Sequence, residues 1–137
     1  IKRLQPSREK AEAAMKAFDP AAWDARVRRV FGKTAPQVLA IEEKAHKNDP
    51  ARHAVRLTRI LDNWDEIQKI IREELPDREW LFGKMKQTGM PMTPEELGIS
   101  HEDVVDAFVC SRDIRDKYLS GSMLWDLGEL DDFAKRL

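Results

Sequence analysis

The side chains that most often perform chemistry in proteins are scarce here, with three histidines and one cysteine in 137 residues. His46 and His53 are the closest histidine pair, and Asp49 followed by Pro50 lies between them. An Asp-Pro pair is a typical helix start, so the two rings are expected on different elements, without the i, i+4 spacing of a zinc-binding helix. We therefore predict two exposed loop histidines and no metal site.

His101 and Cys110 are predicted on one later helix, in different surroundings. His101 follows Ser100, a helix-capping residue type, and is expected to be solvated in the first turn. Cys110 lies in mid-helix among apolar residues, without a histidine beside it in sequence, which is typical of a buried, unreactive thiol. As the single cysteine it excludes an intrachain disulfide and suits a reducing, cytoplasmic compartment.

Glu95 and Glu96 form the most suggestive carboxylate pair. Adjacent helical residues point about 100° apart, so these two carboxylates do not face one substrate atom together. Thr93 and Glu96 match a capping box instead, with Pro94 at the first helical position. We therefore interpret the pair as part of a helix start.

One cluster of alternating charges near the C-terminus has two interpretations. Arg112 with Asp116, and Asp113 with Lys117, have the i, i+4 spacing of ion pairs on an exposed helix, each worth about 0.5 kcal/mol. Alternatively, Arg115 reaches outwards to bind an anion or to brace another domain. We favour the exposed ladder, and we predict no catalytic, cofactor-binding or metal-ligating residue in this chain.

The elements that position these side chains are predicted to be helices throughout. Apolar residues recur every three or four positions, and no convincing strand-like alternation is present. Capping residue types mark the helix starts at Ser7, Asp19, Thr34, Asp49 and Asp77. The pattern predicts an all-α fold, an irregular bundle of about seven to nine helices with short loops, forming a single domain over residues 1–137.

Residues 87–103 are predicted to form a hinge between two halves of this domain. They combine a loop, one helical turn that Gly98 ends, and a new helix start at Ser100. The helix that follows is expected to run to about Lys117. Its predicted buried stripe is Val104, Ala107, Phe108, Ile114 and Tyr118.

Charge and hydropathy exclude several classes of function. The chain has 24 basic and 25 acidic residues, so no net field draws it to nucleic acid or to an anionic membrane. No apolar run approaches the roughly 20 residues that span a bilayer. The tryptophans fall on apolar stripes and are expected to be core or interface anchors: Trp23, Trp64, Trp80 and Trp125. Because the chain starts at Ile1 and not at Met, we expect it to be a piece of a longer protein.

Several segments occur in an order that resembles one known family. They are Arg29-Val30-Phe31-Gly32-Lys33, Asn63-Trp64-Asp65-Glu66-Ile67, Glu74-Leu75-Pro76, Gly89-Met90-Pro91-Met92-Thr93-Pro94-Glu95-Glu96-Leu97-Gly98-Ile99, Ile114-Arg115-Asp116-Lys117-Tyr118 and Leu124-Trp125-Asp126-Leu127-Gly128. Together they are similar to the C-terminal helical domain of sn-glycerol-1-phosphate dehydrogenases, in the iron-containing alcohol dehydrogenase and dehydroquinate synthase-like superfamily. The similarity runs from about Asp19 to Gly128, and each segment is a structural signature of the family.

The resemblance implies a two-domain parent enzyme. A Rossmann-like N-terminal domain, absent from this chain, would bind NAD or NADP, and upstream helices would supply an Asp and histidines to a zinc or iron ion. The implied reaction is the reduction of dihydroxyacetone phosphate to glycerol 1-phosphate, a step of phospholipid metabolism. Since the implied ligands lie upstream of Ile1, none is carried over to His46, His53 or His101.

Two functions remain open at this point. The first is the helical half of such an oxidoreductase, non-catalytic alone, whose partners would be the missing N-terminal cofactor domain and further copies of itself in a homo-oligomer. The alternative is a stand-alone helical module that binds a partner protein through an exposed apolar groove.

Overall fold

Nine α-helices and three short 3-10 turns make up the protein in the computed structural model, which describes all residues 1–137. The helices are α1 (Arg8–Lys16), α2 (Pro20–Phe31), α3 (Ala35–Ala45), α4 (Pro50–Asp62), α5 (Trp64–Glu74), α6 (Arg78–Gln87), α7 (His101–Cys110), α8 (Ser120–Asp126) and α9 (Leu130–Ala134). The 3-10 turns are Gly32–Thr34, Glu95–Leu97 and Ser111–Asp113. The all-α prediction is therefore confirmed. No helix is both long enough and apolar enough to cross a membrane.

Side-chain caps fix several helix starts where the sequence predicted them. An oxygen of the residue before the helix accepts a bond from a first-turn amide, which satisfies a donor that has no partner within the helix. The capping residues are Ser7, Asp19, Asp49 and Ser100. Thr34 and Asp77 also precede helices but form no such bond, and the Thr34 hydroxyl donates instead to the carbonyl of Phe31 at 2.9 Å.

The predicted helical turn of the hinge is a 3-10 turn, ended by Gly98 in the left-handed conformation with φ 71°, and the predicted new helix start at Ser100 is confirmed. The predicted capping box is wrong: Pro94, and not Thr93, directly precedes the turn, and no side chain caps the turn's first amides. Glu96 does reach backwards, but its carboxylate accepts from the amide of Met92 at 2.8 Å. Glu95 and Glu96 therefore have local structural roles.

Helix α7 ends at Cys110, so the predicted continuation to Lys117 is wrong. The Ser111 hydroxyl donates to the carbonyl of Phe108 at 2.7 Å, and the chain tightens into a 3-10 turn that places two charged residues inside the fold. Beyond that turn, Ile114 is 47% exposed and Tyr118 52% exposed, contrary to the predicted buried stripe. The fully inward-facing residues of α7 are Asp106, Val109 and Cys110.

Three apolar clusters form the core between the helices. The first joins α1, α4, α5 and the end of α8 and consists of Ala11, Leu57, Ile60, Trp64 and Leu127. The second joins α7, α8 and α9 through Val109, Leu124, Leu130 and Ala134. The third joins α2 to α3 through Val27, Ala35 and Val38. The core is therefore divided, and polar contacts connect its parts.

One such connection lies between α2 and α7 at Asp106. Its carboxylate, about 10% exposed, accepts two bonds from Arg29, at 2.5 and 2.9 Å, and one from Arg26 at 3.2 Å. The Arg29 bonds hold the pKa of Asp106 below its usual value, with a further contribution from Arg26 and against the opposing effect of burial.

Helix α6 differs from the other long helices because none of its residues is buried. No other helix packs closely against it. A polar contact with the N-terminal segment lies just before α6. The Lys2 ammonium donates to the carbonyl of Leu75 at 3.1 Å and lies 3.4 Å from Asp77. Trp80, predicted to be a core or interface anchor, is 58% exposed on this helix.

Candidate functional site

The most unusual side chain in the protein is Arg112, a fully charged group with 1% exposure. Its guanidinium carbon lies 4.3 Å from the ring centroid of Trp23 and 4.3 Å from that of Trp125. A planar, weakly hydrated guanidinium suits such stacking between two aromatic faces better than an ammonium would. Arg112 therefore joins α2 to α8.

The polar edge of Arg112 is held by two neighbours. One of its amino groups donates to the side-chain oxygen of Asn48. Its Nε lies 3.1 Å from Oδ1 of Asp113 in a geometry that completes a hydrogen bond for neither atom, while Trp23 Nε1 donates to the other Asp113 oxygen at 2.9 Å. Burial lowers the pKa of Arg112, and the Asp113 carboxylate opposes that shift.

Lys47 closes the same region from the end of α3. Its ammonium donates to the backbone carbonyls of Arg112 and Arg115, and it lies 3.9 Å from Asp113. Burial lowers the pKa of Lys47, against the attraction of Asp113. These carbonyls lie where α7 has ended, so the lysine takes the place of the amides that a longer helix would have provided.

Asp126, at the end of α8, is fully buried like Arg112 and Asp113, with 1% exposure. Arg56 binds its carboxylate in a bidentate arrangement, with both N–H···O distances 2.8 Å, and the Tyr118 hydroxyl donates to it at 2.7 Å. The backbone carbonyl of Asp126 is 2.9 Å from Nε2 of His53, which must carry the proton in this contact. Withdrawal from water and the nearby Asp126 raise the pKa of Tyr118.

We call eight residues the buried polar junction, after its buried members His53, Arg112, Asp113 and Asp126. The half-buried Lys47, Asn48 and Arg56 and the exposed Tyr118 surround these four. They bring α3, α4, α8 and the turn after α7 together. Each carboxylate of the junction contacts a cation, as buried charges require.

A cavity of about 480 Å³ opens beside the junction, between the end of α3, α4 and α8. Its cationic lining is mostly committed to internal bonds, because Arg56 is bound to Asp126 and the Lys47 ammonium to two carbonyls. Arg52 and Lys117 lie at its wall with exposed side chains. The geometry is that of a structural network bordering a solvent-filled groove.

The histidines are separated in the structure. His53 is buried, with 3% exposure, so its predicted exposure is wrong: α4 begins at Pro50, and the first turn directs the ring edge-on towards Trp125 at 5.6 Å. His46 follows α3 in the left-handed conformation with φ 51°, and His101 is exposed in the first turn of α7. No three His, Cys, Asp or Glu side chains are grouped as metal ligands would be, so these residues do not fit a zinc or iron site.

Cys110 is fully buried, as predicted. Burial raises the pKa of its thiol to about 11, and the neighbouring Arg26 opposes the shift only in part. A thiol with such a pKa is almost entirely protonated at neutral pH, and the thiolate is the form that attacks electrophiles. The structure therefore places Cys110 among packing residues.

The predicted exposed ladder of ion pairs is wrong. Arg112 and Asp113 point inwards and contact each other, because the chain has left the α-helix before the i+4 positions are reached. The residues that sequence reasoning missed are the buried Arg112 and Asp126. The available signal was their setting, since Asp126 lies between Trp125 and Leu127, where a charge interrupts an apolar run.

Comparison of the chain with known protein families, curated proteins and solved structures finds no match.

Proposed function

We propose that the chain is the C-terminal helical domain of an sn-glycerol-1-phosphate dehydrogenase-like oxidoreductase. In the parent enzyme, which we place in the cytoplasm, it braces the metal-bearing helices and forms one wall of the cleft between the domains. The observation that carries the proposal is the order of the family-like segments along the chain. Residues 114–118 and 124–128 of that order meet where the Tyr118 hydroxyl donates to Asp126.

Two further family-like positions have supporting roles of the same kind. Gly128 has φ +68°, and a Cβ there would lie 2.8 Å from the Cβ of Ala14, so only glycine allows α1 to approach so closely. Arg29, in the segment 29–33, binds Asp106 and connects α2 to α7. Contacts of this kind suit a domain that holds other elements in place.

The chemistry in this proposal belongs to parts of the enzyme outside this chain. The nicotinamide cofactor would be bound by the Rossmann-like domain, and zinc or iron by upstream residues, where the metal would polarise the substrate carbonyl. The residues described above supply neither site, so the contribution of this chain is rigidity and shape.

The test compares residues 1–137 alone with a longer polypeptide in which they follow the cofactor domain that the proposal requires. Oxidation of NADH and NADPH is followed with dihydroxyacetone phosphate, in the presence of zinc or ferrous iron. We expect the longer polypeptide to be active, to oxidise sn-glycerol 1-phosphate in the reverse direction, and to leave sn-glycerol 3-phosphate unreacted. Residues 1–137 alone should be inactive.

Two results would overturn the proposal. One is a folded longer polypeptide that binds NAD or NADP but does not reduce dihydroxyacetone phosphate. The other is reduction of that substrate by residues 1–137 alone. A chelator tests the assignment of the metal site to residues outside this chain. It should leave the melting temperature of residues 1–137 unchanged, because a structural metal would couple binding to folding.

The second candidate is a stand-alone helical interaction module. It is favoured by the exposed apolar side chains along and after α6, which include Trp80, Leu81 and Leu97. The residues that precede Ile1 in the gene distinguish the two candidates: a strand, a Gly-rich turn and a helix followed by Asp and His ligands support the dehydrogenase. A natural start codon immediately before Ile1 supports the module.

A further inference from the structure

The segment from 75 to 103, which we call the α6 arm, contains α6, the following loop, the 3-10 turn and the start of α7. It carries six of the twelve large apolar side chains that are exposed in the protein. The exposed ones are Leu75, Trp80, Leu81, Met90, Leu97 and Ile99, each between 40% and 61% exposed. Scattered exposed apolar residues are normal, but a concentration on one segment marks an interaction surface.

Helix α6 also lacks the stabilisation that a helix of its length requires. Isolated helices shorter than about 12–15 residues are marginal in water, and most helical stability in proteins comes from packing an apolar face. α6 has 10 residues, none of them buried, and Gly83 in its interior adds a further cost of about 1 kcal/mol relative to alanine. The missing packing must come from another surface.

Charge on the arm identifies that surface. The helix carries an excess of basic side chains, with Arg78, Lys84 and Lys86 against Glu79. The 3-10 turn and the first turn of α7 carry only acidic ones, Glu95, Glu96, Glu102 and Asp103. All of these side chains are exposed. In chain order the arm therefore presents a basic helix and then acidic turns, with exposed apolar residues in both parts; of the acidic side chains, Glu96 and Asp103 also form local hydrogen bonds and Glu102 lies 3.9 Å from Arg29.

We propose that the α6 arm binds the same arm of a second copy of the chain, as a two-fold symmetric dimer. In a two-fold interface each patch meets its complement on the partner, so the basic helix of one copy faces the acidic turns of the other in both halves. Trp80 and Leu97 lie at the centre and exclude water from the contact. This inference does not depend on the oxidoreductase proposal.

The oligomeric state of the whole chain is the primary measurement, by sedimentation equilibrium over a wide concentration range. We expect a reversible dimer that Trp80→Asp converts to monomer while the circular dichroism of the remaining helices persists. The matched control is Leu137→Asp, because Leu137 is equally exposed, at 53%, but lies outside the arm at the C-terminus. That variant should dimerise like the wild type.

Charge reversal tests which surfaces meet. The double variant Lys84→Glu/Lys86→Glu should weaken its own dimer about tenfold or more, and Glu95→Lys/Glu96→Lys should do the same. Mixing the two variants should restore dimerisation, since each then offers the complement of the other. In parallel, amide hydrogen exchange in α6 should slow as the protein concentration rises.

A chain that is monomeric throughout the concentration range would overturn the proposal and leave the arm to a different partner. A dimer that survives Trp80→Asp, or that Leu137→Asp removes, would place the interface elsewhere. Two charge-reversed variants that fail to associate on mixing would refute the paired orientation. Exchange in α6 that is independent of concentration would contradict a role of the contact in stabilising this helix.

Discussion

The buried polar junction and the α6 arm both reverse the usual distribution of side chains, the junction by burying charged groups and the arm by exposing apolar ones. The junction takes charged groups inside, with Arg112 and Asp126 each at 1% exposure, while the arm leaves Trp80 and Leu97 at 58% and 61%. In the junction each charge has partners from several helices. In the arm no residue is buried, and six large apolar side chains are at least 40% exposed.

In these two regions, burial follows the number of elements that meet around a side chain more closely than it follows the polarity of that side chain. The junction lies where α3, α4, α8 and the turn after α7 converge, so a polar side chain there is surrounded by potential partners. The arm connects α5 to α7, and its helix α6 is not closely packed against any other helix. The junction is therefore expected to be the stable part of the fold and the arm the labile part.

Among the variants that test this comparison, Asp126→Ala should lower the free energy of unfolding most. It leaves the Arg56 guanidinium and the Tyr118 hydroxyl without their acceptor, and removal of one member of a buried ion pair typically costs about 3–5 kcal/mol of unfolding free energy. Urea denaturation monitored by circular dichroism measures the loss. The control is Tyr118→Phe, which removes a single hydrogen bond and should cost only about 1 kcal/mol. Equal effects for the two variants would contradict the central role assigned to the carboxylate.

Two glycine-to-alanine variants compare a tightly packed position near the junction with an open position in the arm. Gly128→Ala forces a Cβ to within 2.8 Å of Ala14 Cβ and 3.1 Å of the Lys10 carbonyl oxygen, in a left-handed conformation, so a loss of about 2–4 kcal/mol is expected. Gly89→Ala in the arm has a similar φ of +67° but meets nothing within 4 Å, and should cost about 1 kcal/mol from backbone strain alone. Thermal melts of both variants check the difference, and equal losses would refute the close approach of α1 to the end of α8.

Acid should weaken the α2–α7 connection through Asp106. Because its pKa is lowered in the folded state, chiefly by Arg29, its contribution to stability is present above the unfolded value of about 3.9 and is lost as the pH falls through the folded value. Asp106→Asn should therefore reduce the dependence of unfolding free energy on pH below about pH 5.

The matched control for this connection is Asp24→Asn. It breaks only the exposed pair with Arg28, at 2.6 Å on one helix, where solvent screens the attraction, so stability at neutral pH should hardly change. Denaturation midpoints of both variants and the wild type, measured across the acid range, test whether Asp106 stabilises the fold. An acid profile of Asp106→Asn identical to that of the wild type would contradict the proposed contribution.

Gly83→Ala in the interior of α6 should have the smallest effect, and with the opposite sign. A Cβ at this position meets nothing within 4 Å, so the variant should gain about 0.5–1 kcal/mol of local helix stability from the smaller entropy of its unfolded chain. Amide exchange in α6 is the sensitive measurement, since global melting reports mainly on the junction. Faster exchange in the variant would show that α6 is held by a contact that needs glycine.

Local signals in the sequence predicted the helical fold and most helix starts. A cap such as Asp49 before Pro50 acts within one turn, so the information needed to place it lies in a few neighbouring residues. The exposure of Trp80 could not be predicted from such local signals. The apolar spacing of α6 is the same whether or not another helix covers it.

The junction could not be predicted because it depends on contacts between distant segments. Arg112 with Asp116, and Asp113 with Lys117, have the i, i+4 spacing of a surface ladder. Only the positions of Trp23 and Trp125 determine that Arg112 stacks inside. His53 likewise became buried because Trp125 and the carbonyl of Asp126 lie against it. In each case the deciding partner is far away in sequence.

The buried thiol of Cys110 provides an internal reporter on the middle of this fold. It has no exposed surface, and burial raises its pKa to about 11, so alkylating reagents should reach and modify it only when α7 separates from its neighbours. With no second cysteine to compete for label, the modification rate in native buffer measures how often that separation occurs. Alkylation of Cys110 thus reports the rate at which the core opens, without an introduced label.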